Sequence, residues 1–184
     1  MTTGRAAIWL MTSLVVMTAP ASAAAQSPGG TPAVLPPAIT KELDARISGW
    51  SIAPATEDSM AAWRNGARNM PNVERGDYDG NGLPDYVLAI VVPRRGAVTD
   101  EGPRIDVVVF LQRRQSYRFL SISEDAGPRI EIRANAKGDP FQEYGEESSS
   151  VLTRDAFTVS PGDAGPCYTF VYRRGRFEAY WTCD

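Results

Sequence analysis

The run Val107-Val108-Val109-Phe110 constrains the fold of this chain more than any other feature. Four consecutive apolar residues leave a β-strand without a polar side, so the segment 104–111 predicts a strand that is covered on both faces. The stretch 86–92 is also rich in Val, Leu and Ile and is ended by a proline. Both predicted strands therefore need other elements packed against them.

Two helices are predicted ahead of these strands. In 38–48, Ile39, Leu43 and Ile47 recur every four residues, which predicts one apolar helical face. A proline pair precedes this helix and a glycine follows it, as suits a helix start and stop. Residues 57–67 predict a second, short helix. The apolar face of the first helix needs a cover, and one face of the sheet is the obvious candidate.

Further short strands are predicted by apolar or alternating patterns at 117–122, 129–133, 151–152, 156–159, 167–172 and 177–182. Helices first and strands afterwards predict an α+β fold. We expect an N-terminal helix or two packed on a mostly antiparallel, curved sheet of six or seven strands. This single domain is expected to span residues 38–184.

The N-terminus predicts export from the cytoplasm. Residues 1–25 combine one early arginine, an uncharged apolar run and small residues that fit an A-x-A cleavage site, which is typical of a signal peptide. Residues 26–37 are rich in Pro, Gly, Ser and Ala and predict a flexible lead. No later stretch is long and apolar enough for a membrane span, so we expect no stable membrane insertion after cleavage. The protein is expected in the periplasm or outside the cell.

Composition excludes several kinds of site. The chain contains no histidine, which excludes a Ser-His-Asp or Cys-His catalytic set and any histidine-ligated zinc, copper or iron site. The net charge of the whole chain is −3. Removal of residues 1–25 takes away one arginine and no acid and makes the net charge −4. A negative chain argues against nucleic acid as a partner.

The two cysteines of the chain predict a disulfide. Segments 167–172 and 177–182 form a predicted hairpin with Gly175 in the turn. A two-residue turn makes paired positions sum to 349 and a three-residue turn to 350, so Cys167 faces position 182 or 183. Cys183 stands there. Such a bridge closes a loop of about 15 residues, which is worth about 3 kcal/mol in the chain-entropy model.

The segment 76–86, Gly-Asp-Tyr-Asp-Gly-Asn-Gly-Leu-Pro-Asp-Tyr, predicts a calcium-binding loop. Calcium takes six to eight oxygen ligands, and a chain coiling around the ion presents side chains at alternate positions. The expected ligands are the side chains of Asp77, Asp79, Asn81 and Asp85 and the backbone carbonyl of Leu83. A glycine stands at the sixth position, where the chain must turn sharply. An ordinary turn between strands requires only one or two of these residues.

This loop resembles the strand-flanked calcium loops of FG-GAP and VCBS repeats, as found in integrin-type propellers. Their pattern, roughly G-D-x-D-G-[DN]-G-x-x-D followed by a strand, is matched here at Gly76, Asp77, Asp79, Gly80, Asn81, Gly82 and Asp85. A full EF-hand would have glutamate at the twelfth position, which here is Leu88. The overall layout also resembles a group of small exported bacterial proteins, mostly uncharacterised, so the resemblance implies the ion more than an activity.

The sequence favours a non-enzymatic, exported calcium-binding protein in which the ion is structural. Its expected partner is another protein or an envelope macromolecule, as for an inhibitor or an immunity-type protein. Two alternatives stay open at this point. One is a calcium-assisted hydrolase of carbohydrate or phosphoester, which needs an open coordination position. The other is a calcium-dependent sugar-binding module, which an exposed row of aromatic residues beside the loop would favour.

Overall fold

A computed structural model describes residues 35–65, 70–93, 104–124, 126–127, 129–161 and 165–183. Both predicted helices form, as α1 (Pro37–Arg46) and α2 (Glu57–Arg64). Helix α1 ends two residues earlier than predicted because Ile47 adopts an extended conformation with φ −133°. Helix α2 is capped by the side chain of Thr56, which accepts a hydrogen bond from the backbone N–H of Ser59. The predicted end of α2, at 66–67, lies outside the described residues.

The first sheet contains five antiparallel strands: β1 (Ser51–Ile52), β2 (Val73–Gly76), β3 (Asp85–Val92), β4 (Arg104–Arg113) and β5 (Ser116–Ser123). The order β1-β3-β4-β5 places β3 and β4 in the interior of the sheet. Strand β2 pairs with the first half of β3, and β1 pairs with its second half. Strands β1 and β2 therefore lie along the same edge of β3.

The second sheet contains four antiparallel strands in the order β11-β10-β9-β6: β6 (Ile130–Asn135), β9 (Ala156–Pro161), β10 (Cys167–Arg173) and β11 (Arg176–Cys183). A separate two-stranded ribbon is formed by β7 (Pro140–Phe141) and β8 (Ser150–Val151). The ribbon belongs to the connection between β6 and β9.

The two sheets pack against each other, and α1 covers the opposite face of the first sheet. Buried side chains of β3 and β4 meet those of the second sheet in one cluster that includes Val87, Val109, Ile132, Phe157 and Tyr172. On the other side of β3 and β4 a second cluster joins α1 to the sheet through Ile39, Leu43, Leu88, Ile90, Val108 and Phe110. Both predictions about cover are confirmed: β4 is buried on both faces, and the apolar face of α1 lies on a sheet.

The predicted α+β class with a single sheet of six or seven strands is wrong. Of the described residues 48% are in strands and 14% are helical, and the strands form two main sheets. The cover on the inner face of β4 comes from the second sheet, through residues such as Ile132 and Phe157. A continuous apolar strand shows only that both faces are buried, and a helix or another sheet can bury them equally well.

The C-terminal hairpin and its disulfide are confirmed. Arg174 and Gly175 form the two-residue turn with φ of 50° and 85°, as a type I′ turn requires. Partners sum to 349 from Arg173 to Tyr168, and a register shift then brings Cys167 opposite Cys183, with Cα atoms 4.9 Å apart. This distance is ordinary for a disulfide.

The disulfide indicates an oxidising compartment. The predicted signal peptide (1–25) and most of the predicted lead (26–37) lie outside the described residues. Among the residues that the structure describes, no helix has the length and apolar character of a membrane span.

Candidate metal centre

The predicted calcium loop connects β2 to β3 at the open end of their pairing. Gly76 and Asp85 form the last pair of the ladder, so residues 77–84 make the connection. Gly80 and Gly82 have φ of 78° and 80°. Most L-residues avoid these angles, which explains why glycine is required at both bends of the loop.

Three of the predicted ligands come together. Asp77, Asp79 and Asp85 each offer a carboxylate oxygen, and these oxygens lie within 4.8 Å of one another. A separation of this size lets one cation touch all three, because calcium–oxygen distances are about 2.3–2.6 Å. The cluster could therefore hold a metal ion.

Asp85 is the most buried carboxylate of the three, with no exposed surface. Its Oδ2 accepts hydrogen bonds from the backbone N–H groups of Tyr78 (2.9 Å) and Asp79 (3.3 Å), and its Oδ1 accepts one from Gln112 of β4 (2.7 Å). Burial raises the pKa of Asp85 to about 6, although these hydrogen bonds oppose the shift. Asp85 thus closes the loop on itself and fastens it to β4.

Asp77 has one oxygen with a partner and one without. Its Oδ2 accepts a hydrogen bond from the backbone N–H of Gly82 at 2.9 Å. Its Oδ1 is buried and has no hydrogen-bond partner among the described residues. A buried carboxylate oxygen without a partner carries a free-energy penalty that a bound cation would remove.

Asp79 and Asn81 are held by their neighbours. Asp79 accepts a hydrogen bond from the backbone N–H of Asn81 through Oδ1 (3.1 Å) and pairs with Arg113 through Oδ2. The Oδ1 of Asn81 accepts from the backbone N–H of Leu83 (2.7 Å), and its amide donates to the carbonyl of Gln112 (2.9 Å). Ligation by Asn81 and by the Leu83 carbonyl stays a prediction.

Tyr78 anchors the loop in the core between the sheets. Its ring has no exposed surface and meets the ring of Phe157 of β9 edge to face, with centroids 5.3 Å apart. The ring also lies against Gly76, where a Cβ would come within 2.8 Å of it. Tyr78, between the predicted ligands Asp77 and Asp79, is therefore an aromatic anchor whose hydroxyl is buried without a hydrogen-bond partner among the described residues, and a small residue is needed beneath its ring.

The second sheet supplies contacts that local sequence patterns do not predict. Asp155 accepts hydrogen bonds from the backbone N–H groups of Asp77 (2.8 Å) and Lys137 (2.9 Å). The guanidinium of Arg154 donates to the backbone carbonyl of Asp79 at 2.8 Å. These residues lie more than 50 positions from the loop, so only the packing of the two sheets brings them to it. No spacing in the sequence signals their role.

Two pockets flank Asp77. One, of about 280 Å³, is lined by Asp77, Gly80, Lys137, Thr153, Arg154 and Asp155. The other, of about 320 Å³, is lined by Arg75, Gly76, Asp77, Gly82, Leu83 and Pro84. Asp77 lines both pockets.

The donor set fits a hard cation. The expected donors are all carboxylate, amide or carbonyl oxygens, which suit calcium and magnesium and do not favour zinc or copper. The buried, unpartnered Oδ1 of Asp77 is the feature that a cation would satisfy. Arg113 neutralises part of the acidic charge through Asp79.

No family of known proteins matches the chain, and comparisons with curated proteins and with solved structures also find no match. The resemblance of the loop to FG-GAP and VCBS repeats therefore stays a prediction from the sequence.

Proposed function

We propose that this chain is an exported calcium-binding protein in which one calcium ion fastens the loop 77–85. The observation that carries the proposal is the buried Oδ1 of Asp77, which has no hydrogen-bond partner among the described residues, on a side chain that forms a carboxylate cluster with Asp79 and Asp85. A calcium ion would give this oxygen a partner. Magnesium is less suited, because it keeps its waters and requires near-octahedral geometry.

The contacts of the loop support a structural role for the ion. Asp85 connects the loop to β4, and Asp155 connects it to the second sheet. An ion bound to Asp77, Asp79 and Asp85 would hold together a loop that already contacts both sheets. Its binding free energy would therefore add to the stability of the whole domain.

We further propose that the protein acts by binding a macromolecule. Tyr144, Tyr168 and Trp181 are 48%, 41% and 39% exposed. Tyr144 stacks on Trp181 with ring centroids 4.4 Å apart, and Tyr168 is the cross-strand partner of Trp181. Exposed, adjoining Tyr and Trp side chains are typical of protein interfaces.

The position of this aromatic surface argues against the sugar-binding alternative at the loop. Tyr168 and Trp181 lie near the disulfide, at one end of the second sheet. Asp155, which contacts the loop, lies at the other end of this sheet, directly before Ala156, the first residue of β9. Continued by two residues, the β9–β10 register places Asp155 opposite Tyr172, which lies four residue steps along β10 from Tyr168, or about 13 Å at 3.3 Å per residue. The exposed aromatic residues therefore lie away from the calcium loop.

Thermal unfolding of residues 26–184 tests the proposal. At a calcium concentration 100 times the dissociation constant, stabilisation is about 2.7 kcal/mol. For a chain of this size that corresponds to a rise in Tm of about 5–10 °C relative to chelator. Magnesium at the same concentration should give a smaller rise. Identical melting curves in millimolar calcium and in chelator would contradict the proposal.

A further inference from the structure

The pocket lined by Lys137, Thr153 and Arg154 presents positive groups next to the calcium loop. Arg154 lies across Gly80, where a Cβ would come within 3.6 Å of the guanidinium carbon. One of its nitrogens donates to the backbone carbonyl of Asp79. The guanidinium makes no other hydrogen bond or ion pair with a described residue, so its remaining N–H groups are available to a ligand.

Lys137 is the second available cation. Its side chain is exposed, and its ammonium group forms no ion pair with a described carboxylate. Its backbone N–H donates a hydrogen bond to Asp155. Both oxygens of Asp155 already accept backbone hydrogen bonds, from Asp77 and Lys137. Asp155, which lines the pocket together with Asp77, is thus engaged with the backbone.

Calcium would make the charge around this pocket positive. The charged groups that line the pocket are two carboxylates, Asp77 and Asp155, and two cations, Lys137 and Arg154, and their charges sum to zero. A calcium ion bound to Asp77 changes this sum to +2. Since Asp77 belongs both to the acidic cluster and to the wall of the pocket, the ion would act on the pocket at short range.

We propose that this pocket binds an oxyanion, a carboxylate or a phosphate monoester, and that it does so when calcium occupies the loop. The inference rests on the proposed function and names the chemistry of the ligand that the calcium-loaded protein recognises. Arg154 supplies a planar pair of donors suited to a two-oxygen anion, and Lys137 supplies a mobile point charge. The exposed hydroxyl of Thr153 can donate a further hydrogen bond. At about 280 Å³ the pocket admits one small anionic group.

Isothermal titration calorimetry on residues 26–184 tests the inference. The probes are glucuronate for the carboxylate and glycerol 3-phosphate for the phosphate, with glucose and glycerol as neutral controls. Each is titrated into calcium-loaded and into calcium-free protein, with blank titrations into calcium alone. We expect at least one anion to bind at least tenfold more tightly in calcium than without it, and the neutral compounds not to bind. The tighter anion identifies the source of the oxyanion.

Two variants and a control locate the binding. Lys137→Gln should weaken anion binding about tenfold, as loss of one charge-assisted hydrogen bond predicts, and should not lower the affinity for calcium, because it removes a positive charge near the acidic cluster. Arg154→Gln should weaken anion binding more, and its calcium affinity is measured separately because Arg154 contacts the loop. Arg176→Gln is the matched control, since Arg176 is an exposed arginine at the tip of the β10–β11 hairpin.

The outcomes separate this inference from the proposed function. If calcium binds but neither anion binds more tightly than its neutral control, the inference is overturned and the calcium site stands. Equal anion binding by wild type and Lys137→Gln also overturns it. If the anion binds equally with and without calcium, the dependence on calcium is overturned. If neither calcium nor anion binds, both proposals are overturned.

Discussion

Asp77 and Asp85 belong to one carboxylate cluster but differ in their hydrogen bonds. We therefore expect their substitution by asparagine to have different effects on calcium binding and on stability. Asp77 has a buried oxygen without a partner, whereas both oxygens of Asp85 accept backbone hydrogen bonds. Asp77→Asn should therefore affect mainly calcium binding. Asp85→Asn should destabilise the fold whether calcium is present or not.

The expected magnitudes follow from these contacts. In Asp77→Asn the amide oxygen can still accept from Gly82, and the new NH₂ group replaces the unpartnered Oδ1 beside the carboxylates of Asp79 and Asp85, which can accept from it, so stability in chelator should change by less than about 1 kcal/mol. In calcium the variant should lose most of the ion's stabilisation, about 2.7 kcal/mol at 100 times the dissociation constant. In Asp85→Asn the new NH₂ group faces a backbone N–H, and a buried donor without an acceptor costs about 1–3 kcal/mol.

Urea unfolding of the wild type and both variants, in millimolar calcium and in chelator, measures these free energies. We expect the free energy of unfolding of Asp77→Asn to match that of the wild type in chelator and to be lower in calcium. That of Asp85→Asn should be lower than that of the wild type in both solutions. Should Asp77→Asn retain the full calcium-dependent stabilisation, Asp77 is not a ligand and the assignment of the ion to its free oxygen is refuted.

Three further perturbations have defined outcomes. Replacing Cys167 and Cys183 by serine should cost about 3 kcal/mol in urea unfolding, because the cross-link no longer restricts the unfolded chain, and a loss below about 0.5 kcal/mol would show that the bridge is not stabilising. Burial raises the pKa of Asp85 to about 6, so the folded chain binds a proton at Asp85 more readily than the unfolded chain does. Without calcium, the contribution of this bound proton to the free energy of unfolding therefore falls as pH rises from about 4 to 6. Calcium requires the ionised form, so the calcium-induced rise in Tm should be larger at pH 7.5 than at pH 5, and an equal or larger rise at pH 5 would contradict this. Gly76→Ala should cost about 1–3 kcal/mol because its Cβ would clash with the ring of Tyr78, and unchanged stability would show that the ring can move.

Local sequence patterns predicted the elements that depend on neighbours in the chain. The four-residue spacing of Ile39 and Leu43 predicted the apolar face of α1, and both residues are fully buried against the first sheet. The strand patterns on either side of Gly175 predicted the hairpin, and its register predicted the disulfide between Cys167 and Cys183. In each case a repeat or a register within about 20 residues determines which side chains meet.

Features that depend on distant parts of the chain were not predicted. The second sheet was missed because strand patterns do not show which strands pair; β9, for example, lies between β6 and β10. For the same reason the sequence indicated Asp77, Asp79 and Asp85 but not Gln112 or Asp155, which hold the loop from other strands. The acidic loop could be found because its ligands lie within nine consecutive residues.

The proposed function depends on calcium binding at the free oxygen of Asp77. A crystal structure of residues 26–184 grown in calcium, with anomalous diffraction recorded, would locate the ion. We expect an anomalous peak at about 2.3–2.6 Å from Asp77 Oδ1 and from oxygens of Asp79 and Asp85. A map without a peak in this loop, with Asp77 Oδ1 hydrogen-bonded to an ordered water, would show that calcium does not bind there.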